Sequence, residues 1–285
     1  MKQHKYKYPV LAITLLLGML ISIASLAGLL TPGLYARETM NWRIQSWGQD
    51  TINIFLVVPT LLVTGIFMPK NSRVLLLLWT GILLYIIYTY AVYCFDVHFN
   101  SMFPVYCIIL GVSFYTFTWM VYSLVVADNP KPPTGKRVEK LTGIYFVILA
   151  ASFYFLWLSD IIPAVLAKSA PPTVIDSGLF TNPVHVLDLA LFLPAIFMTG
   201  IALLQKHPAA YLLSIILLTF FILMNLTITW LSLRMKEADL VSGITVIAAM
   251  SLLTILSAGL LAWNLRSDPS ENLLTETLPG NSLAN

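Results

Sequence analysis

Long apolar runs separated by short polar stretches fall near residues 9–30, 51–68, 73–95, 102–127, 141–159, 185–204, 209–231 and 241–264. A helix needs about 20 apolar residues to cross a hydrocarbon core of about 30 Å, and each run supplies roughly that many. A membrane-crossing strand would need only about ten residues of alternating pattern, whereas these runs are continuous. A helix also satisfies its own backbone hydrogen bonds where no water reaches. The pattern predicts an all-α membrane protein with eight transmembrane helices. The first run follows Lys2, Lys5 and Lys7. It exceeds the roughly 7–15 apolar residues of a signal peptide and reads as a retained span.

The connections alternate in charge. Lys2, Lys5, Lys7, Lys70, Arg73, Lys131, Lys136, Arg137, Lys140, Lys206 and Arg266 fall on the side of the termini. Arg37, Arg43, Lys168, Arg234 and Lys236 fall on the other, the last two offset by Glu237 and Asp239. This bias of about two to one predicts that both termini are cytoplasmic. Residues 128–139 contain Pro130, Pro132, Pro133 and Gly135 and read as a cytoplasmic linker between two halves, 1–127 and 140–265. Residues 266–285 are rich in Ser, Asn, Thr, Glu and Pro and read as a disordered cytoplasmic tail.

The second and sixth runs share a pattern. Asn53, Pro59 and Thr64-Gly65 recur as Asp188, Pro194 and Thr199-Gly200, at one constant offset of 135 residues. An offset of four helices keeps both copies in the same orientation. It predicts a duplicated four-helix unit, a parallel repeat about an axis along the membrane normal. Each proline removes a backbone donor and crowds the previous turn, so helix kinks are expected at Pro59 and Pro194.

Composition sharpens this picture. Hydrophobic residues make up 58% of the chain and charged residues 10%, against about 25% charged in soluble domains. A soluble protein could not cover its surface with so few charges, and a bilayer removes that need. The net charge of +3 reports topology rather than a nucleic-acid surface, because the cations sit between apolar runs. Cys94 and Cys107 show no zinc-type spacing and read as small hydrophobic residues.

Polar residues gather on the side away from the termini. Asp50 and Asn53 open the second run and match His185 and Asp188 at the sixth. Each pair is spaced i, i+3 and shares a helix face. Asn182-Pro183 is a capping pair that starts the sixth helix. Asp96 and His98 lie between the third and fourth runs, and Asp160 ends the fifth. Tyr85, Tyr88, Tyr90 and Tyr93 line the third helix, and Asn225, Thr227 and Thr229 the seventh. An ionised carboxylate facing hydrocarbon is costly, so Asp50, Asn53, Asp96, His98, His185 and Asp188 are expected to face inward around an outward-opening polar cavity. Four of them have a plainer role: a helix cap for Asp50 and Asp188, an interfacial group for His98, a bond to Asp188 or to a backbone carbonyl for His185.

No phosphate-binding loop, dinucleotide fingerprint, G-x-S-x-G or H-E-x-x-H motif occurs. No Lys, Arg or Glu sits inside a run as a proton relay or voltage sensor. Of His4, His98, His185 and His207, only His98 and His185 fall on the polar side. With Asp96 and Asp188 they form a conceivable redox or metal pair, but no metal and no cofactor is expected.

Residues 97–115 (VHFNSMFPVYCIILGVSFY) and 181–195 (TNPVHVLDLALFLPA) resemble a group of uncharacterised bacterial multi-pass membrane proteins. The resemblance runs from about Gln49 through the seventh run. It implies a bacterial inner (plasma) membrane and brings no activity. The four-plus-four layout is also similar to haem A synthase, but that family has a histidine pair in each half, which this chain lacks.

The leading expectation is a non-enzymatic, permease-like or sensor-like module. Its partners would be the lipid bilayer and a small polar or amphipathic ligand, with no nucleic acid. One alternative is a membrane-bound enzyme or redox protein using His98 and His185. Another is a structural subunit of a membrane complex. Neither the ligand nor the oligomeric state follows from the residues.

Overall fold

The computed structural model describes residues 6–67, 73–127, 137–238 and 243–266. Among the described residues eight helices are long and apolar enough to cross a membrane: α1 (Lys7–Leu30), α2 (Met40–Phe67), α3 (Arg73–Phe95), α4 (Phe103–Leu124), α5 (Arg137–Leu166), α6 (Pro183–Leu204), α7 (Ala210–Glu237) and α8 (Ile244–Arg266). A short helix, Pro172–Ser177, lies between α5 and α6. No strand occurs among the described residues. The protein is a multi-pass membrane protein.

Three helices run further than the apolar pattern predicts: α7 ends at Glu237 rather than near residue 231, so Arg234 and Lys236 lie within it, and α2 and α5 are longer too. The apolar run of α2 begins near residue 51, yet the helix starts at Met40 because the Thr39 side chain accepts from Trp42 N at 3.2 Å and caps it there. Helix α5 starts at Arg137 and continues past Pro163 to Leu166, so residues 137–139 of the expected linker are helical and Asp160 lies within the helix rather than at its end. Residues 128–136 and the expected tail beyond Arg266 lie outside the described residues.

Helices α3 and α7 form the centre. Over their most apolar stretches 72% and 67% of residues are buried, against 11–39% in the other six. Helix α3 packs on α7, and each also packs on the helix that follows it, α4 or α8. The principal neighbours obey one rule. The pairs α1–α2, α3–α4, α1–α4, α2–α3 and α2–α7 each have a counterpart four helices on: α5–α6, α7–α8, α5–α8, α6–α7 and α6–α3. The last turn of α4 also touches α7.

The matched prolines sit in matched distortions. One π-helical turn spans Asn53–Val57 and another Asp188–Phe192, again 135 residues apart. In each the bond reaches back five residues, from Val58 N to Asn53 O and from Leu193 N to Asp188 O. Pro59 and Pro194 follow immediately. A proline donates no N–H and crowds the carbonyl one turn earlier, and a widened turn is one way a helix absorbs that conflict. Further along, Gly65 and Gly200 let a neighbouring helix come close. A Cβ on Gly65 would run into the Thr14 side chain, and one on Gly200 would lie 2.9 Å from Gly143 O.

Candidate functional site

Three polar groups lie under the face opposite the termini, where the α1–α2, α3–α4 and α5–α6 connections touch. The α1–α2 connection is the organiser. Arg43 donates to three of its carbonyls, Tyr35 O at 3.1 Å, Ala36 O at 3.0 Å and Glu38 O at 3.2 Å. The Thr39 hydroxyl donates to Ser177 O at 3.0 Å, tying this connection to the short helix.

The first group surrounds Asp50, which is 1% exposed. The Tyr35 hydroxyl donates to Oδ2 at 2.7 Å and the Tyr93 hydroxyl to Oδ1 at 2.8 Å. Gly28 of α1 makes room for them: a Cβ there would overlap Oδ2 and lie 2.7 Å from the Tyr35 oxygen. The Tyr93 ring stacks on Tyr90 at 5.4 Å and packs on Tyr106 at 5.0 Å between centroids. Among the described residues no cation is paired with Asp50. Burial, then the Asp50 charge, push the Tyr35 phenol up, so Tyr35 stays a donor.

One turn on, Asn53 is equally buried. Its Nδ2 donates to Ser25 Oγ at 3.1 Å and its Oδ1 accepts from Gln49 Nε2 at 3.0 Å. Gln49 also donates to the Tyr85 oxygen at 2.9 Å, and Tyr85 shares a hydrogen bond of 2.7 Å with Thr227 Oγ1. This chain of bonds crosses α1, α2, α3 and α7.

The second group surrounds Glu38, which is 5% exposed. Its carboxylate accepts from His98 N at 2.8 Å and pairs with His98 Nδ1 at 2.9 Å. Asp96 stands beside it with Oδ2 buried and without a hydrogen-bond partner. Burial first, and the Glu38 charge second, raise the Asp96 carboxyl from 3.8 to about 7.

The third group surrounds Trp157. Asn182 caps α6 as the Asn-Pro pair predicts, accepting from Val184 N at 2.9 Å and His185 N at 3.4 Å. The buried His185 ring packs on Trp157 with centroids 4.6 Å apart, and its Nε2 has no partner. Trp157 Nε1 donates to Asp188 Oδ2 at 2.9 Å, and the Tyr88 hydroxyl donates to Oδ1 at 3.2 Å.

The six expected residues are therefore divided rather than pooled. Asp50 and Asn53 share a face and both lie beside Ser25, but Asp50 draws tyrosine hydroxyls and Asn53 the Gln49 amide. His185 and Asp188 share Trp157 and make no bond to each other. Asp96 and His98 belong to Glu38, so the two histidines sit in separate groups. No cluster of three or more His, Cys, Asp or Glu spaced for a metal occurs among the described residues. A recess of about 250 Å³ does open on this face, but Leu29, Trp47, Thr51, Trp230 and Arg234 line it. Around the six residues the polar groups pack on one another, with Asp50 and Asn53 each 1% exposed.

The apolar pattern missed Tyr35, Glu38, Gln49 and Trp157. Glu38 had a usable signal, an acid immediately before the capping residue Thr39 and among the cations of its connection. Trp157 had none, since a tryptophan inside an apolar run reads as packing. No protein-family model, no curated protein and no solved structure matches this chain.

Proposed function

We propose that the protein is a non-enzymatic module of the inner (plasma) membrane, with both termini cytoplasmic, that binds or passes a small polar or amphipathic ligand at the Asp50 layer. The observation that carries this reading is a carboxylate buried within a span and held by neutral hydroxyl donors, Tyr35 and Tyr93 foremost. As a strut, an amide of the same shape would serve at lower cost, because it has no charge to desolvate. A carboxylate earns its place when something cationic visits it. The Tyr93 and Tyr106 rings beside Asp50 are the aromatic neighbours such a cation would meet. The test is the thermal stability of the detergent-purified protein with choline or with its uncharged isostere 3,3-dimethylbutanol. Choline should raise the midpoint, and Asp50→Asn should abolish that response while folding normally. Equal responses to both compounds, or a choline response retained by Asp50→Asn, would sink the reading.

The same proposal includes duplication of a four-helix unit. It is supported by the matched π turns and by the neighbour rule that repeats four helices on. The charge bias supports the orientation: reporter fusions after Lys70, Lys131 and Lys206 should read cytoplasmic, and those near Arg43, Asn100 and Lys168 external. A consistent inversion would overturn it.

A further inference from the structure

Two recesses of about 250 Å³ lie at the ends of the bundle, and they differ in charge. On the face opposite the termini, Arg234 is the cation, and it is paired with Glu237. On the termini face, the recess is lined by Glu139, Lys140, Leu203, Leu204 and Lys206. Here Lys140 and Lys206 are exposed and have no ion-pair partner among the described residues. Glu139 is buried, 5% exposed, which leaves the two ammonium groups as the charge presented outward.

The floor is apolar. Helices α5 and α6 meet backbone to backbone where Gly143 faces Gly200, and the Leu204 side chain lies over Gly143, 3.1 Å from where a Cβ would stand. Lys140 is in the first turn of α5, and Lys206 follows the last residues of α6. Both ends of the recess thus sit where apolar helix gives way to polar connection, at headgroup depth.

We propose that this recess is a binding site for an anionic phospholipid, whose phosphate lies between Lys140 and Lys206 and whose acyl chain runs along Leu204. Three features favour a lipid over a protein partner: the two exposed cations against one buried acid, the apolar floor beneath them, and a position that membrane lipid reaches without leaving its leaflet. The volume fits a phosphate and its glycerol better than a folded segment.

Lys206 also supplies a clean test. It adopts a left-handed backbone, φ 58°, at the end of α6, where Lys206 N bonds Leu203 O at 3.0 Å and His207 N bonds Ala202 O at 2.8 Å. Glycine is the residue this helix ending favours. Lys206→Gly therefore removes the charge while relieving the backbone, so a loss of lipid cannot be blamed on unfolding. The assay is native mass spectrometry of the full chain released from nanodiscs of equal phosphatidylglycerol and phosphatidylcholine with matched chains. The parent should retain phosphatidylglycerol about thirtyfold over phosphatidylcholine, the scale of two lysines acting near a headgroup. Lys206→Gly and Lys140→Gln should each cut that preference severalfold, with the Lys206→Gly melting midpoint unchanged or raised, and Lys206→Arg should keep it. No preference in the parent, or a preference that survives Lys140→Gln combined with Lys206→Gly, would overturn the proposal. Displacement of the bound lipid by millimolar inorganic phosphate would also overturn it, since the site would then be one for free anions.

Discussion

Asp96 gives the most direct test of the connections at the face opposite the termini. The folded protein keeps its proton up to about pH 7, whereas an unfolded chain releases it near 3.8. The sign follows from which state holds the proton. Between those values the folded state binds more protons, so its stability is complete below about 3.8 and declines as pH rises through about 7. The gap sets a ceiling of about 4 kcal/mol at alkaline pH, at about 1.4 kcal/mol per pH unit. Asp96 is partly exposed, and solvent screening brings the expected loss to about 1–2 kcal/mol. Asp96→Asn cannot ionise and escapes that loss. In thermal unfolding of the detergent-purified protein, followed by tryptophan fluorescence, it should match the parent at pH 4 and exceed it by a few degrees at pH 8. The control is Glu38→Gln, which breaks the pairing with His98 as well as removing the charge beside Asp96, and should weaken the protein at both ends of the range. An Asp96→Asn variant that is less stable than the parent at pH 8, or shifted equally at both pH values, would refute the assignment.

Three further outcomes follow from the geometry. Gly28→Ala places a Cβ on Asp50 Oδ2 and 2.7 Å from the Tyr35 oxygen. It should cost about 1–3 kcal/mol as an overpacking change and also remove any choline response, so a silent variant would contradict the described seat of Asp50. Trp157→Phe deletes the donor to Asp188 and keeps a ring against His185. A loss of about 1–3 kcal/mol is expected from the Oδ2 left without its donor while Tyr88 still serves Oδ1, and chemical denaturation indistinguishable from the parent would show that the bond does not form. Gly178→Ala puts a side chain on a residue with φ 70° and a Cβ 2.6 Å from Thr39 Cγ2. The cost should be about 1–3 kcal/mol, read as faster limited proteolysis between α5 and α6, and unchanged cleavage would count against the Thr39–Ser177 tie.

The eight spans were legible because each is written as one continuous run of apolar residues, a signal the bilayer demands of every helix that crosses it. The start of α2, both ends of α5 and the end of α7 were not. Met40-N-W-R-I-Q-S-W-G-Q-D is too polar to read as a span, yet it is helical because a cap begins it and the first group's polar side chains need it as a scaffold. The candidate residues were legible by type, since Asp50 and Asn53 are as buried as the cost of facing lipid requires. Their partners were not legible, because those partners come from other helices and from the α1–α2 connection. Hydropathy places a residue at a depth. It says nothing of which helix stands opposite, so Tyr35 on Asp50, Glu38 on His98 and Trp157 on Asp188 had to come from packing.

The corresponding positions Asn53 and Asp188 show how one helix design is put to two uses. Both open a π turn, and both are followed by a proline six residues on. The amide at Asn53 needs donors and acceptors together and finds them in Gln49 and Ser25, on its own helix and on α1. The carboxylate at Asp188 accepts only, and so it draws donors, Trp157 of α5 and Tyr88 of α3. Helix α3 thereby serves both sides from adjacent turns, with Tyr85 reached from α2 and α7 and Tyr88 reaching α6. Tyr93, further along the same helix, serves Asp50. A group that took Tyr93 from Asp50 would leave the carboxylate with Tyr35 as its remaining tyrosine donor, and Tyr35 is fixed by Arg43 to the α1–α2 connection. Occupancy at Asp50 would then be felt along α3, because that helix is buried on most of its surface and cannot turn one tyrosine without moving the others against their partners.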